Sequence, residues 1–158
     1  MKQNNAKKDI FNKPHHISIV VKDATKAQTF YESIGIGPWV EYPPMKEYID
    51  LTVMDKEGFY DLNIRCAQIG PLELQLIQPG KGKSLYKEFL ENKGEGVFHI
   101  GFEVDDIAAA DKNAENKSLS VLSSGRRIDG SGFSYYEKAQ DAGVILLARQ
   151  TKTPGPQS

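Results

Sequence analysis

Apolar residues recur along this chain in two periods that alternate block by block. Residues 15–21 (HHISIVV) form a β-branched run and predict a strand. Asp23 follows as a helix cap. Ala27, Phe30, Tyr31 and Ile34 then recur at helical spacing, predicting a helix over 24–34. Gly35 and Gly37 stop it. Residues 37–42 read as a second strand. Residues 49–54 and 60–67 read as two arms of a hairpin that turns at 55–58. Residues 72–78 (LELQLIQ) alternate apolar with polar, the mark of a half-buried strand. Ser84 caps a short connector helix that ends before Gly94, with Leu85, Tyr86, Phe89 and Leu90 on one face.

The pattern then restarts. Residues 97–104 (VFHIGFEV) predict a strand, Asp105 and Asp106 a cap, and 107–116 a helix. Residues 119–122, 133–137 and 144–150 read as further strands, with a glycine-containing loop over 125–132. An offset of 83 superposes His16 on His99, Ile19 on Phe102, Val21 on Val104, Asp23 on Asp106 and Ala27 on Ala110. The economical reading is an α+β fold of two tandem βαβββ modules, 13–79 and 96–151, joined by a connector at 80–95. Each sheet has one helix-covered face and one bare face, so pairing the two makes a curved, open-barrel cleft. The ends, 1–12 and 152–158, read as flexible tails.

The chain has 158 residues, 39% hydrophobic and 26% charged, an ordinary globular balance. A formal net charge of -1 leaves no basic field for nucleic acid or an anionic membrane. No apolar run approaches the roughly 20 residues of a membrane helix, and the polar N-terminus does not read as a signal peptide. The single cysteine, Cys66, fits a reducing, cytoplasmic setting.

Strand alternation assigns faces. Ile17, Ile19 and Val21 are the helix-facing set of the first strand, which leaves His16, Ser18 and Val20 on the cleft. Phe98, Ile100, Phe102 and Val104 face the helix from the fifth, which leaves His99, Gly101 and Glu103 on the cleft. Glu73 and Gln75 face it from the fourth. Two histidines and two oxygen-bearing side chains thus converge from three strands, a donor set that suits a borderline divalent metal. Arg65 could grip a substrate carboxylate. Trp39 and Tyr135 could line the pocket. Arg126, Arg127, Lys81, Lys83 and Lys87 could meet a phosphate.

The stretch PHHISIVVKDATKAQTFYESIGIGPW resembles the opening of the vicinal-oxygen-chelate superfamily. The stretch LELQLIQPGKGKSLYKEFLENKGEGVFHIGFEVDDIAAA is similar to its methylmalonyl-CoA epimerase branch. The resemblance implies one divalent ion, zinc, cobalt, nickel or manganese, held by His16, Gln75 and His99. A glutamate from the last strand should complete the set and serve as one acid–base group, but Leu147 stands there. The ligand set is therefore incomplete. The family's other base, a glutamate after the second strand, would correspond to Glu47, and Glu73 is the candidate replacement on the cleft face. The implied function is an epimerase-like isomerase or lyase that works through a metal-stabilised enolate of an acyl-CoA or 2-oxo acid, in a homodimer by family analogy. The alternative is a bleomycin-resistance-type binding protein without catalysis, with Leu147 as part of an apolar wall.

Overall fold

A computed structural model describes residues 9–43, 45–137 and 141–152. In chain order the elements are β1 (Pro14–Val20), α1 (Ala24–Ser33), β2 (Trp39–Glu41), a 3-10 turn (Met45–Glu47), β3 (Asp50–Thr52), α2 (Lys56–Tyr60), β4 (Asn63–Ile69) and β5 (Leu72–Gln78). They continue as α3 (Leu85–Lys93), β6 (Gly96–Glu103), α4 (Ile107–Asn116), β7 (Val121–Arg126), β8 (Gly132–Tyr136) and β9 (Ile145–Gln150). Asp23, Ser84 and Asp106 cap α1, α3 and α4, each accepting the backbone N–H three residues on.

The nine strands form one mixed sheet in the order β2-β4-β5-β1-β6-β9-β8-β7-β3. The centre is the antiparallel β1–β6 pair, and each of these strands is flanked by a parallel neighbour, β5 or β9. A two-fold relation runs between β1 and β6. It exchanges β5 with β9, β4 with β8 and β2 with β7.

β3 breaks that symmetry. Its sequence belongs to the first half, yet it pairs with β7 at the far edge of the second. The expected hairpin of 49–54 with 60–67 does not form. Asp55 accepts from Gly58 N and starts α2 in place of a tight turn. The glycine is needed there, because a Cβ would lie 1.9 Å from the carbonyl oxygen of Lys83. β7 also runs on to Arg126, into residues expected as loop.

The excursion of β3 forces the sheet to curl. Nine strands laid flat at about 4.8 Å spacing would put β2 and β3 roughly 38 Å apart. The chain from Glu41 to Asp50 can span only about 32 Å when fully extended. The sheet therefore bends round an interior without closing.

Three apolar groups follow. Ile19, Val21, Ala24, Ala27, Tyr31 and Leu76 pack between α1 and the outer face of the first half. Ile107, Ala110, Ala114, Tyr136 and Ala148 do the same for α4 and the second half. The third fills the interior, where Phe59 from α2 and Tyr86 from α3 meet Val20, Ile77, Phe98, Phe133, Tyr135 and Leu147. Phe98 was expected on the helix-covered side. A register shift between Ser18 and Ile19 turns it inward beside His99 instead. Within the expected N-terminal tail, two of the described residues are packed. Ile10 is buried against α4, and Phe11 meets the rings of Phe102 and Tyr136 edge-on. Residues 1–8 and 153–158 lie outside the described residues.

Candidate functional site

The floor of the interior is set by register. Ser18 on β1 pairs with Gln75 on β5 and with His99 on β6. Gly101 on β6 pairs with His16 on β1 and with Leu147 on β9. The two-fold relation thus exchanges His16 with His99, Ser18 with Gly101, and Gln75 with Leu147.

The two imidazoles meet. Nε2 of His16 lies 2.9 Å from Nε2 of His99, with the rings nearly perpendicular at 86°. Both residues are buried, at 4% and 1% exposure. Burial lowers both pKa values. His99 falls to about 3. His16 falls well below its ordinary value, first through desolvation and then through the nearby His99, His15 and Arg149. Both rings are therefore neutral near pH 7, the form in which an imidazole ligates metal.

Around the pair, Gln75 donates its Nε2 to Glu73 at 2.8 Å, which points its amide oxygen away from Glu73. Cys66 faces the same interior, and its thiol pKa is raised by burial and by its hydrogen bond to Glu73. The hydroxyls of Tyr86 and Tyr135 bond to each other beside His99, whose ring centroid lies 5.2 Å from that of Tyr135. Burial raises both phenol pKa values, so both remain protonated. Arg127 and Arg149 reach the lining from β7–β8 and β9, and no carboxylate lines this cavity among the described residues. The free volume is small, about 40 Å³, room for a water or two.

The expected site residues divide cleanly. His16, Gln75, His99, Tyr135 and Leu147 line one interior. Glu73 touches it through Gln75. Glu47 sits at the rim, where Arg127 Nε donates to it at 2.8 Å and Lys152 lies 3.8 Å away. Arg65 and Trp39 must be reassigned. On β4 the inward residues are Ile64 and Cys66, so Arg65 projects from the other face and donates to Gln28 and Thr25 of α1. Trp39 packs on Tyr31 at 5.8 Å and donates to Ile36 O, also on the α1 side. Neither reaches the interior. Arg126 is likewise taken up below α4, by Asp111 and Ser134.

The lining residues that the sequence reading does not assign to the cleft include Arg149 and Tyr86. Arg149 stands two positions after Leu147, and alternation along β9 would have placed it on the same face. In the sequence Tyr86 reads only as part of the apolar face of α3. Nothing in the sequence tells which end of the sheet α3 covers.

Residues 15–136 match the glyoxalase/bleomycin resistance protein/dioxygenase superfamily. The chain belongs to that superfamily. Similar relatives include the mitochondrial methylmalonyl-CoA epimerase of Mus musculus, 26% identical over 135 residues that make up 84% of this chain and 69% of the relative. The Homo sapiens protein of the same name is 29% identical, covering 84% and 70%. Among solved structures, methylmalonyl-CoA epimerase from Mycobacterium tuberculosis superposes with a TM-score of 0.69 at 16% identity, covering 92% of each chain. A Streptomyces coelicolor methylmalonyl-CoA epimerase variant in complex with 2-nitronate-propionyl-CoA gives 0.67 at 23% identity, covering 89% of this chain and 98% of that one. These superpositions show a shared fold.

The superfamily's divalent ion can be tested against the donors present. Two nitrogens each about 2.0–2.1 Å from an ion, at mutual angles of 90–109°, lie about 2.9–3.4 Å apart. The observed 2.9 Å meets that requirement for neighbouring ligand positions. Nδ1 of His99 is buried with no partner among the described residues, so no protein group holds the second nitrogen of that ring. Gln75 adds an oxygen from the adjoining strand. No cluster of three or more His, Cys, Asp or Glu able to hold an ion occurs among the described residues, because the third donor is an amide and the symmetric fourth position is Leu147. The spacing of the two imidazoles fits neighbouring positions on one ion, and Gln75 lines the same interior.

Proposed function

We propose that this chain is a metal-dependent isomerase of the methylmalonyl-CoA epimerase type, acting on a small acyl-CoA. The observation that carries the reading is the 2.9 Å approach of His16 and His99, one from each half, next to Gln75. The named activity of the sequence relatives supports the same substrate class. His16, Gln75 and His99 would hold the ion, whether zinc, cobalt, nickel or manganese. When bound, such an ion supplies the positive charge that stabilises an enolate beside a thioester.

The protein's own groups do the rest. Glu73, which accepts from Gln75, is the leading candidate to take the α-proton. Glu47, held at the rim by Arg127, is the candidate to return one from the other side. Arg149 and Arg127 give the lining a positive character that suits an acid substrate. Tyr86 and Tyr135 wall off water. The small free volume requires the interior to open for an acyl group, and the 3-10 turn and α2, which bridge the open side of the sheet, are the elements to move.

The test is uptake of solvent deuterium at the α-carbon of methylmalonyl-CoA by protein loaded with cobalt or manganese. Exchange that is lost in His16→Ala and His99→Ala is the expected result. Exchange no faster than the uncatalysed background overturns the epimerase reading.

Leu147 favours a second reading, a binding protein of the bleomycin-resistance type. It removes both a ligand and an acid–base group, and general acid–base catalysis is typically worth about 10²–10⁴-fold. Protein that purifies without metal, yet binds an apolar ligand tightly, would support sequestration over catalysis.

A further inference from the structure

We propose that Arg127 recognises the free carboxylate of a carboxyl-bearing acyl-CoA, and that Glu47 and Tyr48 hold its place until that carboxylate arrives. The inference rests on the acyl-CoA reading above and deepens it. It names the residue that tells a dicarboxylic acyl group from a simple one, and the contact that the ligand must break to enter.

The guanidinium is held from two sides. Within its own hairpin, Nη1 donates to Ser131 Oγ at 3.3 Å, and the backbone N–H of Arg127 donates to Ser131 O at 2.8 Å. From across the open side of the sheet, Oε1 of Glu47 accepts from Nε at 2.8 Å and the hydroxyl of Tyr48 accepts from Nη2 at 3.1 Å. Cζ lies 4.7 Å from the centre of the Tyr48 ring. Arg127 and Tyr48 both line the cavity.

Nε and Nη2 form one edge of the guanidinium, with parallel N–H groups. A carboxylate fits such an edge with both oxygens at once. Here two consecutive residues divide it: one carboxylate oxygen takes Nε and a phenol takes Nη2. A ligand carboxylate replaces these unlike acceptors with a matched pair, the stronger and more specific arrangement. Exchanging one carboxylate for another also keeps the buried guanidinium paired.

Exposure decides which partner moves. The Arg127 side chain is 10% exposed and that of Glu47 33%. Lys152 lies 3.8 Å from Oε2 of Glu47, ready to keep it at the rim. Glu47 ends the 3-10 turn and Tyr48 follows it, so losing both contacts unties that turn from the β7–β8 hairpin. The cavity of about 40 Å³ needs such a movement before it admits an acyl group. Glu47, once released, is free for the proton role given to it above. Arg149 has no such arrangement. Its carboxylate partner, Glu103, is its register neighbour on β6 and would not move with the turn.

Malonyl-CoA and acetyl-CoA differ by one carboxylate, and their affinities for the full chain, measured by calorimetry with zinc present, test this. Wild type should prefer malonyl-CoA. Arg127→Met should weaken malonyl-CoA about tenfold or more, the scale of a lost hydrogen bond to a charged group. It should tighten acetyl-CoA, by up to about fivefold, because that ester breaks the Glu47 contact with nothing to put in its place. Loss of both affinities together is a structural effect and overturns the proposal. Glu47→Gln loosens the same contact and should tighten both esters, again by up to about fivefold. Tightening of malonyl-CoA alone is plain removal of a negative charge and overturns the place-holding role.

If Arg127→Met does not fold, Arg127→Lys keeps the charge without the fork and should lose the malonyl-CoA preference. A preference kept at the wild-type ratio overturns recognition by Arg127. Equal affinities of wild type for the two esters overturn the proposal and leave the acyl-CoA reading standing. Binding of neither ester by any variant overturns both.

Discussion

Gly101 makes room for His16: a Cβ at Gly101 would lie 1.9 Å from Cε1 of the imidazole and 2.4 Å from each of its nitrogens. The ring of one half lies across the backbone of the other, and only a hydrogen side chain permits it. Gly101→Ala should push His16 away from His99. Zinc affinity should fall by about tenfold or more, while overpacking costs about 1–3 kcal/mol of stability. Chelator competition and urea denaturation on one sample check both. Unchanged zinc affinity would mean that the ring over Gly101 has no part in the site.

Leu147 occupies the place that symmetry pairs with Gln75, and it is 4% exposed. Leu147→Glu should make the metal-free protein less stable by about 1–3 kcal/mol, because a carboxyl is buried without an assigned partner. Divalent metal should more than restore the loss. The rise in Tm on adding zinc or cobalt should then exceed that of wild type, since ligand binding to the native state stabilises it by mass action. Thermal melts with and without metal give the comparison.

The neutral histidine pair has a consequence for acid stability. Unfolding exposes His16 and His99 to water, where each titrates near 6.5. In the folded protein His99 titrates at about 3 and His16 well below its ordinary value. Below pH 6.5 the unfolded chain therefore binds protons that the folded chain refuses. Stability from these groups is complete above about pH 6.5 and declines as the pH falls toward 3. The slope is up to about 1.4 kcal/mol per pH unit for each ring. Urea midpoints of metal-free wild type across pH 4–8 should show this loss, and His99→Phe should show a shallower one. Equal slopes would mean that His99 takes up its proton as readily in the native state as in the unfolded chain.

Below α4, Asp111 accepts from Ser134 and Tyr136 and pairs with Arg126. Asp111→Ala leaves that partly buried guanidinium without its carboxylate and a buried phenol without its acceptor. A loss of about 2 kcal/mol is expected. Zinc affinity should stay as in wild type, because the network lies outside the interior. Denaturant titration and chelator competition separate the two effects.

Strand alternation assigned His16, Ser18, Val20, Gln75 and His99 to the interior, because period two holds wherever a sheet has one covered face. It failed where the ladder is irregular. The register shift beside Ser18 turned Phe98 inward. It also fails on β4, where Arg65 lies on the face toward α1 and not on the interior. β4 alternates Asn63 and Arg65 with Ile64 and Cys66, but one of its faces meets the interior and the other meets α1, and period two alone does not say which is which. The hairpin expected of 49–67 failed for a different reason. A three-residue strand has no local preference for its partner, and β3 found an edge on the other half.

From its residues alone the chain specified two similar halves and the strand that presents each histidine, because both follow from local period and repetition. The curl of the sheet came from a long-range pairing of β3 with β7. That curl brings Arg149, Tyr86 and Tyr135 round the imidazoles and shrinks the cavity to about 40 Å³. Such pairings depend on which edges are free once everything else has packed, and no stretch of sequence carries that information by itself.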